Sequence, residues 1–151
     1  MSRCFAYKGS TEQLKPIADL WANEAESSFG LELVADAHVK DLQTLVDSDM
    51  ADLLVLDQDG EITGYLGIQI FKNPLGEQLI ANEHYWFVIP ECRGLSAMRL
   101  IKAAKVWAKE KGCSHLIMNA SKLASELHDK VCKVYERQGM KHFETSYIME
   151  I

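Results

Sequence analysis

The stretch Trp86-Phe87-Val88-Ile89-Pro90-Glu91-Cys92-Arg93-Gly94-Leu95-Ser96-Ala97-Met98 decides how this chain is read. An apolar strand runs into a short polar turn and then into a helix. The unpaired N–H groups of the new helix, with the positive end of its dipole, converge on one point that suits a pyrophosphate.

Downstream, residues 95 to 111 have the length and residue types of a helix, closed by Gly112. Residues 114 to 119 form a buried strand, residues 122 to 138 a helix closed by Gly139, and residues 140–144 and 145–151 two short strands. Upstream, residues 79 to 89 form a strand that follows the turn Asn73-Pro74-Leu75-Gly76. Before that turn, Asp57-Gln58-Asp59-Gly60 joins the apolar run of residues 51 to 57 to a partner strand through Ile62, Tyr65, Ile68 and Ile70, with Gly64 and Gly67 marking a bulge. Residues 3 to 8 make a first strand. Ser10-Thr11 with Glu12 and Gln13 opens a helix whose apolar face carries Leu14, Ile17, Leu20 and Trp21, and a second helix spans about residues 36 to 48 through Val39, Leu42, Leu45 and Val46. This order predicts a mixed sheet covered on both faces, with a βαβ unit around the opening stretch.

The chain has 151 residues, 48% hydrophobic and 25% charged, which fits a single domain over residues 1–151. It contains no apolar run long enough to span a bilayer and no signal-peptide core, so a soluble cytoplasmic protein is expected, with no membrane partner. Cys4, Cys92, Cys113 and Cys132 form no C-x-x-C pair, which disfavours a metal site and fits reduced thiols packed as small apolar groups. Cys92, beside Arg93 at a helix start, is the one whose thiolate would be favoured. A net charge of −6 argues against nucleic-acid binding. The charge is unevenly placed: residues 91 to 111 carry six basic against two acidic side chains (+4), and residues 1 to 60 four basic against twelve acidic (−8). One region suits a polyanion and the other a cation, although most of these charges also read as solvated helix faces.

Val88, Pro90 and Arg93 match in spacing a valine two residues before a proline, followed by an Arg/Gln-x-x-Gly-x-Gly/Ala turn. Val134-Tyr135-Glu136-Arg137-Gln138-Gly139-Met140 is similar to a Tyr-Glu-Lys-x-Gly-Phe segment. Together, in this order, these segments resemble the GNAT superfamily of acyl-CoA-dependent N-acetyltransferases, best over residues 82 to 140. The departures are Ser96 at a usual glycine and Met98 at a usual Gly/Ala. Serine is small and its hydroxyl can donate to phosphate, whereas Met98 has to turn its side chain into the core.

The resemblance implies a GNAT-like α/β (α+β) fold with a mixed, mostly antiparallel sheet of six to seven strands and helices on both faces. It also implies acetyl-CoA as co-substrate, an amine acceptor that is a small molecule or a protein, and direct transfer in a ternary complex. The backbone of Phe87 and Val88 would pair with the pantetheine amides as a substitute strand. The N–H groups of Arg93, Gly94, Leu95, Ser96, Ala97 and Met98 would face the pyrophosphate, with Arg99 at the flank. Asn119, at a strand end, would bond the arm or serve as an ordinary strand-end asparagine, and His128 would face the cofactor. Tyr135 would give a proton to the departing sulfur.

An amine of pKa about 10.4 must lose a proton before it attacks. Strict alternation puts Asn82, His84, Trp86 and Val88 on one face and Glu83, Tyr85 and Phe87 on the other. His84 is the base candidate, and Glu83 takes over if a bulge shifts the register. The acidic connection of Glu24, Glu26, Glu32 and Asp36, with Trp21 and Phe29 as apolar walls, would steer a cationic acceptor. The apolar strands at 140–151 could pair across a homodimer. The rival reading is a catalytically silent module of this fold that binds acyl-CoA or a protein partner.

Overall fold

The computed structural model describes residues 1–124 and 126–151. The elements are β1 (Ser2–Ala6), α1 (Lys15–Glu24) preceded by a 3-10 turn at Thr11–Leu14, α2 (Ala35–Val46), β2 (Ala51–Gln58), β3 (Glu61–Lys72), β4 (Leu79–Val88), α3 (Leu95–Glu110) preceded by a 3-10 turn at Pro90–Cys92, β5 (Cys113–Ile117), and α4 (Leu127–Arg137) preceded by a 3-10 turn at Lys122–Ala124. The sheet order is β1-β2-β3-β4-β5, antiparallel except for the parallel pair β4 and β5.

Local chemistry sets these elements. Between β2 and β3 the chain reverses through Asp59 and Gly60, both at positive φ, while the Gly60 N–H donates to the Asp57 carboxylate at 2.9 Å. Ser10 caps the first turn by accepting from the Glu12 N–H, as its hydroxyl chemistry predicts. Every residue from Ala51 to Asp57 is buried, because helices cover both faces of β2. On one face α3 lays Ala97, Leu100, Ala104, Trp107 and Ala108 over Leu54, Leu56, Leu66, Ile68 and Val88. On the other, Leu14, Ile17 and Leu42 from the α1 and α2 side cover Leu53, Val55, Tyr65 and Phe87. Leu20, expected on the apolar face of α1, points outward. The far end of α3 is anchored by Trp107, whose indole N–H donates at 2.8 Å to the buried Asp52.

The mixed sheet with helices on both faces matches the sequence reading, but it has five strands rather than six to seven. Residues 141–151 form no strand and are exposed. Their alternating pattern is present, but among the described residues nothing pairs with it, and a strand exists only through its ladder.

The sequence predicts a bulge at the glycines, and two occur beside them. The β2–β3 register shifts opposite Gly64, and the β3–β4 register shifts between Gly67 and Ile68, where Tyr85 and Glu83 are the partners and His84 is the extra residue. Gly67 is required by close approach: a Cβ there would lie 2.7 Å from Leu45 Cδ1 and 2.8 Å from the Tyr85 ring. Gly67→Ala is therefore expected to cost about 1–3 kcal/mol of stability by overpacking, read as a lower urea midpoint at unchanged slope.

Candidate functional site

The bulge re-aims β4. Glu83 stands opposite Ile68 of the α3-side cluster, and Trp86 packs against the same cluster, while Tyr85 and Phe87 pack on the α1 and α2 side. His84 Nε2 lies 2.8 Å from Gln69 Oε1, in an open pocket bordered by Asp41 and Thr44 of α2 and by Ser48 just beyond it. Strict alternation fails here because two successive residues of β4 share one face. Glu83 joins Trp86 and Val88, and His84 leaves them.

The β4–β5 ladder runs from Leu79 opposite Cys113 to Asn82 opposite Ile117 and then stops, so the two strands part into a fork. Asn119 holds the fork at its root. Its backbone N–H donates to Glu83 Oε2 at 2.9 Å, and its Nδ2 donates to Asn82 Oδ1 at 3.0 Å and to the Glu83 carbonyl. Glu83 is only 3% exposed. Burial pushes its carboxyl up to about 7, against the opposing pull of the two Asn119 donors.

Tyr135, on α4, reaches the same place. Its hydroxyl donates to the Asn119 carbonyl at 2.9 Å, and its ring stacks on Trp86 with centroids 6.0 Å apart. Burial, then the nearby Glu83 and Cys132, push the phenol well above its ordinary value, so it stays protonated. The indole Nε1 of Trp86 is buried and, among the described residues, has no hydrogen-bond partner. Such a donor costs free energy until something accepts from it. Sequence reasoning missed Trp86; its signal was an indole two residues before the valine of the opening stretch.

Backbone donors also face the fork. The Ile89 N–H bonds to the Thr63 carbonyl at 2.9 Å, so by ladder alternation Phe87 faces β3, and Val88 and Trp86 face away. The backbone groups that point into the fork are those of Trp86 and the N–H of Val88, whose carbonyl accepts from Arg93 Nε, while those of Phe87 point to β3.

Beyond the strand, Gly94 turns the chain at φ +110° and leads into α3 with no side-chain cap and no acidic residue in the first turn. The first helical bond runs from Met98 N to the Gly94 carbonyl, which leaves the N–H groups of Leu95, Ser96 and Ala97 free of helix partners. Nothing lies within 4 Å of where a Cβ on Gly94 would stand. Ala97 is buried and Met98 half-buried, and Cys92 packs against the α3-side core.

The Arg93 side chain does not point at this turn's open face. Its Nη2 binds both Glu24 oxygens at 2.8 and 2.9 Å, its Nε donates to the Val88 carbonyl at 2.8 Å, and its guanidinium lies over the Phe87 ring. Arg93 thereby ties the end of α1 to the end of β4. Arg99 is exposed and close enough to Cys4 of β1 to act on that thiol, which places it on the flank of α3 away from the fork. His128 faces its own helix neighbours, Asp129 at 3.0 Å and Cys132 Sγ at 3.9 Å. The structure thus brings Glu83, Asn119 and Tyr135 together with Trp86, and leaves His84 and Arg99 apart from them.

On the α1 and α2 side of β4, the rings of Trp21, His38, Tyr65, Tyr85 and Phe87 form one aromatic cluster, with Trp21 stacked on Phe87 at 5.5 Å. His38 Nε2 meets the Tyr65 hydroxyl at 2.8 Å, and the Tyr85 hydroxyl donates to Asp41. Burial lowers the His38 pKa, so this imidazole is held neutral. Among the described residues no His, Cys, Asp and Glu group could hold a metal ion, and no helix is long and apolar enough to cross a membrane.

The profile of the acetyltransferase (GNAT) family matches residues 14–140. No curated protein matches the chain by sequence. Among solved structures, a transcriptional regulator from Bacillus halodurans C-125 superposes with a TM-score of 0.78 at 16% identity, covering 99% of this chain and 100% of its own. A ribosomal-protein-alanine N-acetyltransferase from Brucella melitensis biovar Abortus 2308 gives 0.76 at 18% identity, with 100% and 99% covered. AAC(6')-Iy in complex with the bisubstrate analog CoA-S-monomethyl-acetylneamine gives 0.75 at 19% identity, with 100% and 98% covered. These likenesses establish the fold.

The buried Glu83 makes stability pH-dependent. Its folded pKa, about 7, lies above its ordinary 4.5, so the folded state holds the proton more tightly. Its favourable contribution is complete below 4.5 and is lost as pH rises through 7, on the order of 3 kcal/mol across the window. Urea unfolding between about pH 5 and 8 should show this decline, and Glu83→Gln, which keeps an acceptor for the Asn119 N–H, should flatten it.

Proposed function

We propose, from the premise that this chain belongs to the acetyltransferase (GNAT) family, that it transfers an acetyl group from acetyl-CoA directly to a primary amine. The observation that carries the reading is the fork: a buried carboxyl poised near neutral pH, a protonated tyrosine and an indole N–H without an acceptor meet beside unpaired strand backbone. The orphaned Trp86 donor fits an amide- or thioester-bearing arm, and the free N–H groups of Leu95, Ser96 and Ala97 fit its diphosphate. Bound acetyl-CoA would supply the activated thioester.

The chain's residues have distinct tasks. Trp86 and the N–H of Val88 offer strand backbone to the arm, while Gly94 gives the turn its open approach. Glu83 takes the proton of the ammonium, since its pKa of about 7 leaves a useful carboxylate fraction near neutrality. As the nitrogen–carbon bond forms and the carbon–sulfur bond breaks, Tyr135 gives its hydroxyl proton to the leaving sulfur. Asn119 positions both, through its N–H to Glu83 and its carbonyl to Tyr135. The base role goes to Glu83 rather than His84, which lies on the other face beside Gln69. A cationic acceptor would be drawn by Glu26 and Glu32 in the connection after α1, which reaches the segment between Asn119 and α4 through the bond of the Glu26 N–H to the Leu123 carbonyl. Four free cysteines fit a reducing, cytoplasmic setting.

Thermal shift tests the binding step: acetyl-CoA or CoA at a hundredfold excess over its Kd should add about 2.7 kcal/mol of stability, and no shift with either would refute the reading. Thiol release over a panel of amines tests the chemistry. Glu83→Gln and Tyr135→Phe should each lower kcat by about 10²–10⁴ while keeping the acetyl-CoA thermal shift, and wild-type kcat/KM should rise as pH climbs through about 7. Trp86→Phe, which removes only the N–H, should weaken acetyl-CoA binding by about three- to thirtyfold with folded stability kept or raised.

A further inference from the structure

Of the four free cysteines, three are packing groups. Cys4, Cys92 and Cys113 lie against the α3-side core, and burial pushes the thiols of Cys4 and Cys113 up, which makes them poorer nucleophiles. Cys132 is different. It belongs to neither core cluster, stands half-buried on α4 and is, among the described residues, the one cysteine with an imidazole in reach: its Sγ lies 3.9 Å from His128 Nε2.

The other neighbour of that imidazole fixes its tautomer. His128 Nδ1 lies 3.0 Å from Asp129 Oδ1, and this contact holds the Asp129 carboxyl below its usual range, so the group is an anion that only accepts. Nδ1 therefore carries the hydrogen, and Nε2 turns its lone pair to the thiol. The Asp129 side chain is 91% exposed and that of His128 24%. Carboxylate, imidazole and thiol thus run inward from solvent in the order of an orienting group, a base and a nucleophile. A sulfur–nitrogen distance of 3.9 Å is loose, as such pairs are before a substrate closes on them.

The line ends in the fork. His128, Cys132 and Tyr135 are spaced four and then three residues apart, so they share one face of α4, and Cys132 is near enough to Tyr135 to act on its phenol. Tyr135 in turn stacks on Trp86, whose buried indole N–H lacks an acceptor. A nucleophile with its base and a donor suited to a carbonyl oxygen therefore meet at one place.

We propose that Cys132 is a second acceptor of the acyl group: when no amine is present it takes the acyl group from acyl-CoA and becomes an S-acyl cysteine. This rests on the reading above for the acyl-CoA in the fork. His128 Nε2 takes the thiol proton, and the Cys132 sulfur bonds to the thioester carbon while the Trp86 N–H donates to the carbonyl oxygen as it gains charge. The bond from that carbon to the CoA sulfur then breaks, and this sulfur leaves with the proton as free CoA thiol. One thioester replaces another, so no oxidant or reductant is consumed and CoA reverses the step. An amine is served from β4 by Glu83 and the thiol from α4 by His128, so each acceptor has its own base.

Intact-mass measurement and peptide mapping of the full chain test this. With acetyl-CoA and no amine, a single acetyl group should appear on Cys132 with release of an equal amount of CoA thiol, and neutral hydroxylamine or excess CoA should remove it. Cys132→Ser should abolish this acetyl group, and His128→Asn should slow its appearance by about a hundredfold. Iodoacetamide probes the pair without any acyl-CoA: Cys132 should alkylate faster than Cys4 and Cys113, His128→Asn should remove that lead, and Asp129→Asn should narrow it about two- to fivefold at an unchanged melting temperature. An acetyl-CoA thermal shift without S-acetylation overturns the proposal and leaves the fork reading standing. An acetyl group that resists hydroxylamine or maps to another cysteine also overturns it, as does a Cys132 no faster than Cys113 toward iodoacetamide. No thermal shift and no S-acetylation overturn both readings, and a retained iodoacetamide lead then locates the failure in acyl-CoA binding.

Discussion

The rest of the structure depends on the parting of β4 from β5 just after Asn82. A continuous parallel ladder would use every backbone group between the strands and leave a closed sheet. Two devices prevent that. The extra residue His84 bends β4 and changes which side chains face α3, and Asn119 ends the pairing by turning its amide groups onto Asn82 and Glu83. The same asparagine that finishes one strand sets a carboxyl and, through its carbonyl, a phenol. One residue's backbone and side chain thus fix the spacing of the fork's two titratable groups.

The fork tolerates a buried carboxyl because the surroundings are unbalanced. Two donors from Asn119 favour the anion, and the apolar wall of Trp86 and the α3-side core favours the acid. Burial wins, and the Asn119 donors hold the rise to about 7. A third donor would lower the carboxyl pKa, and loss of the Asn119 pair would raise it further. Tyr135 shows the opposite case: every influence on it acts in the same direction, so it holds its proton throughout the physiological range.

Much of this was visible in the chain itself. The strand, turn and helix around Pro90 follow from an apolar run, a proline and a glycine that admits positive φ, and Gly64 and Gly67 marked a bulge where two occur. Tyr135 and Glu83 were named, the latter through the bulge. Other features were not legible because they depend on distance rather than order. Period-two reasoning cannot locate a bulge to the residue, so the faces of Glu83 and His84 came out exchanged. The tie of the Arg93 side chain to Glu24 was hidden because the two lie 69 positions apart in sequence. Trp86 looked like ordinary core, since an unsatisfied indole is defined only by what fails to surround it. Residues 141–151 had the right alternation, but alternation alone makes no ladder, and among the described residues none pairs with them.

The Arg93–Glu24 bridge has a further consequence for how such a scaffold diversifies. It fastens the wall where an acceptor would be chosen to the turn where a diphosphate would sit, and both oxygens of Glu24 are committed to it. The loop that follows can be lengthened, shortened or recoloured in charge to suit new acceptors, because its first residue hangs from a fixed post. Glu24 itself cannot drift without loosening Arg93, and with it the Val88 carbonyl. Transplanting a foreign acceptor loop into this framework should therefore begin one residue after the glutamate.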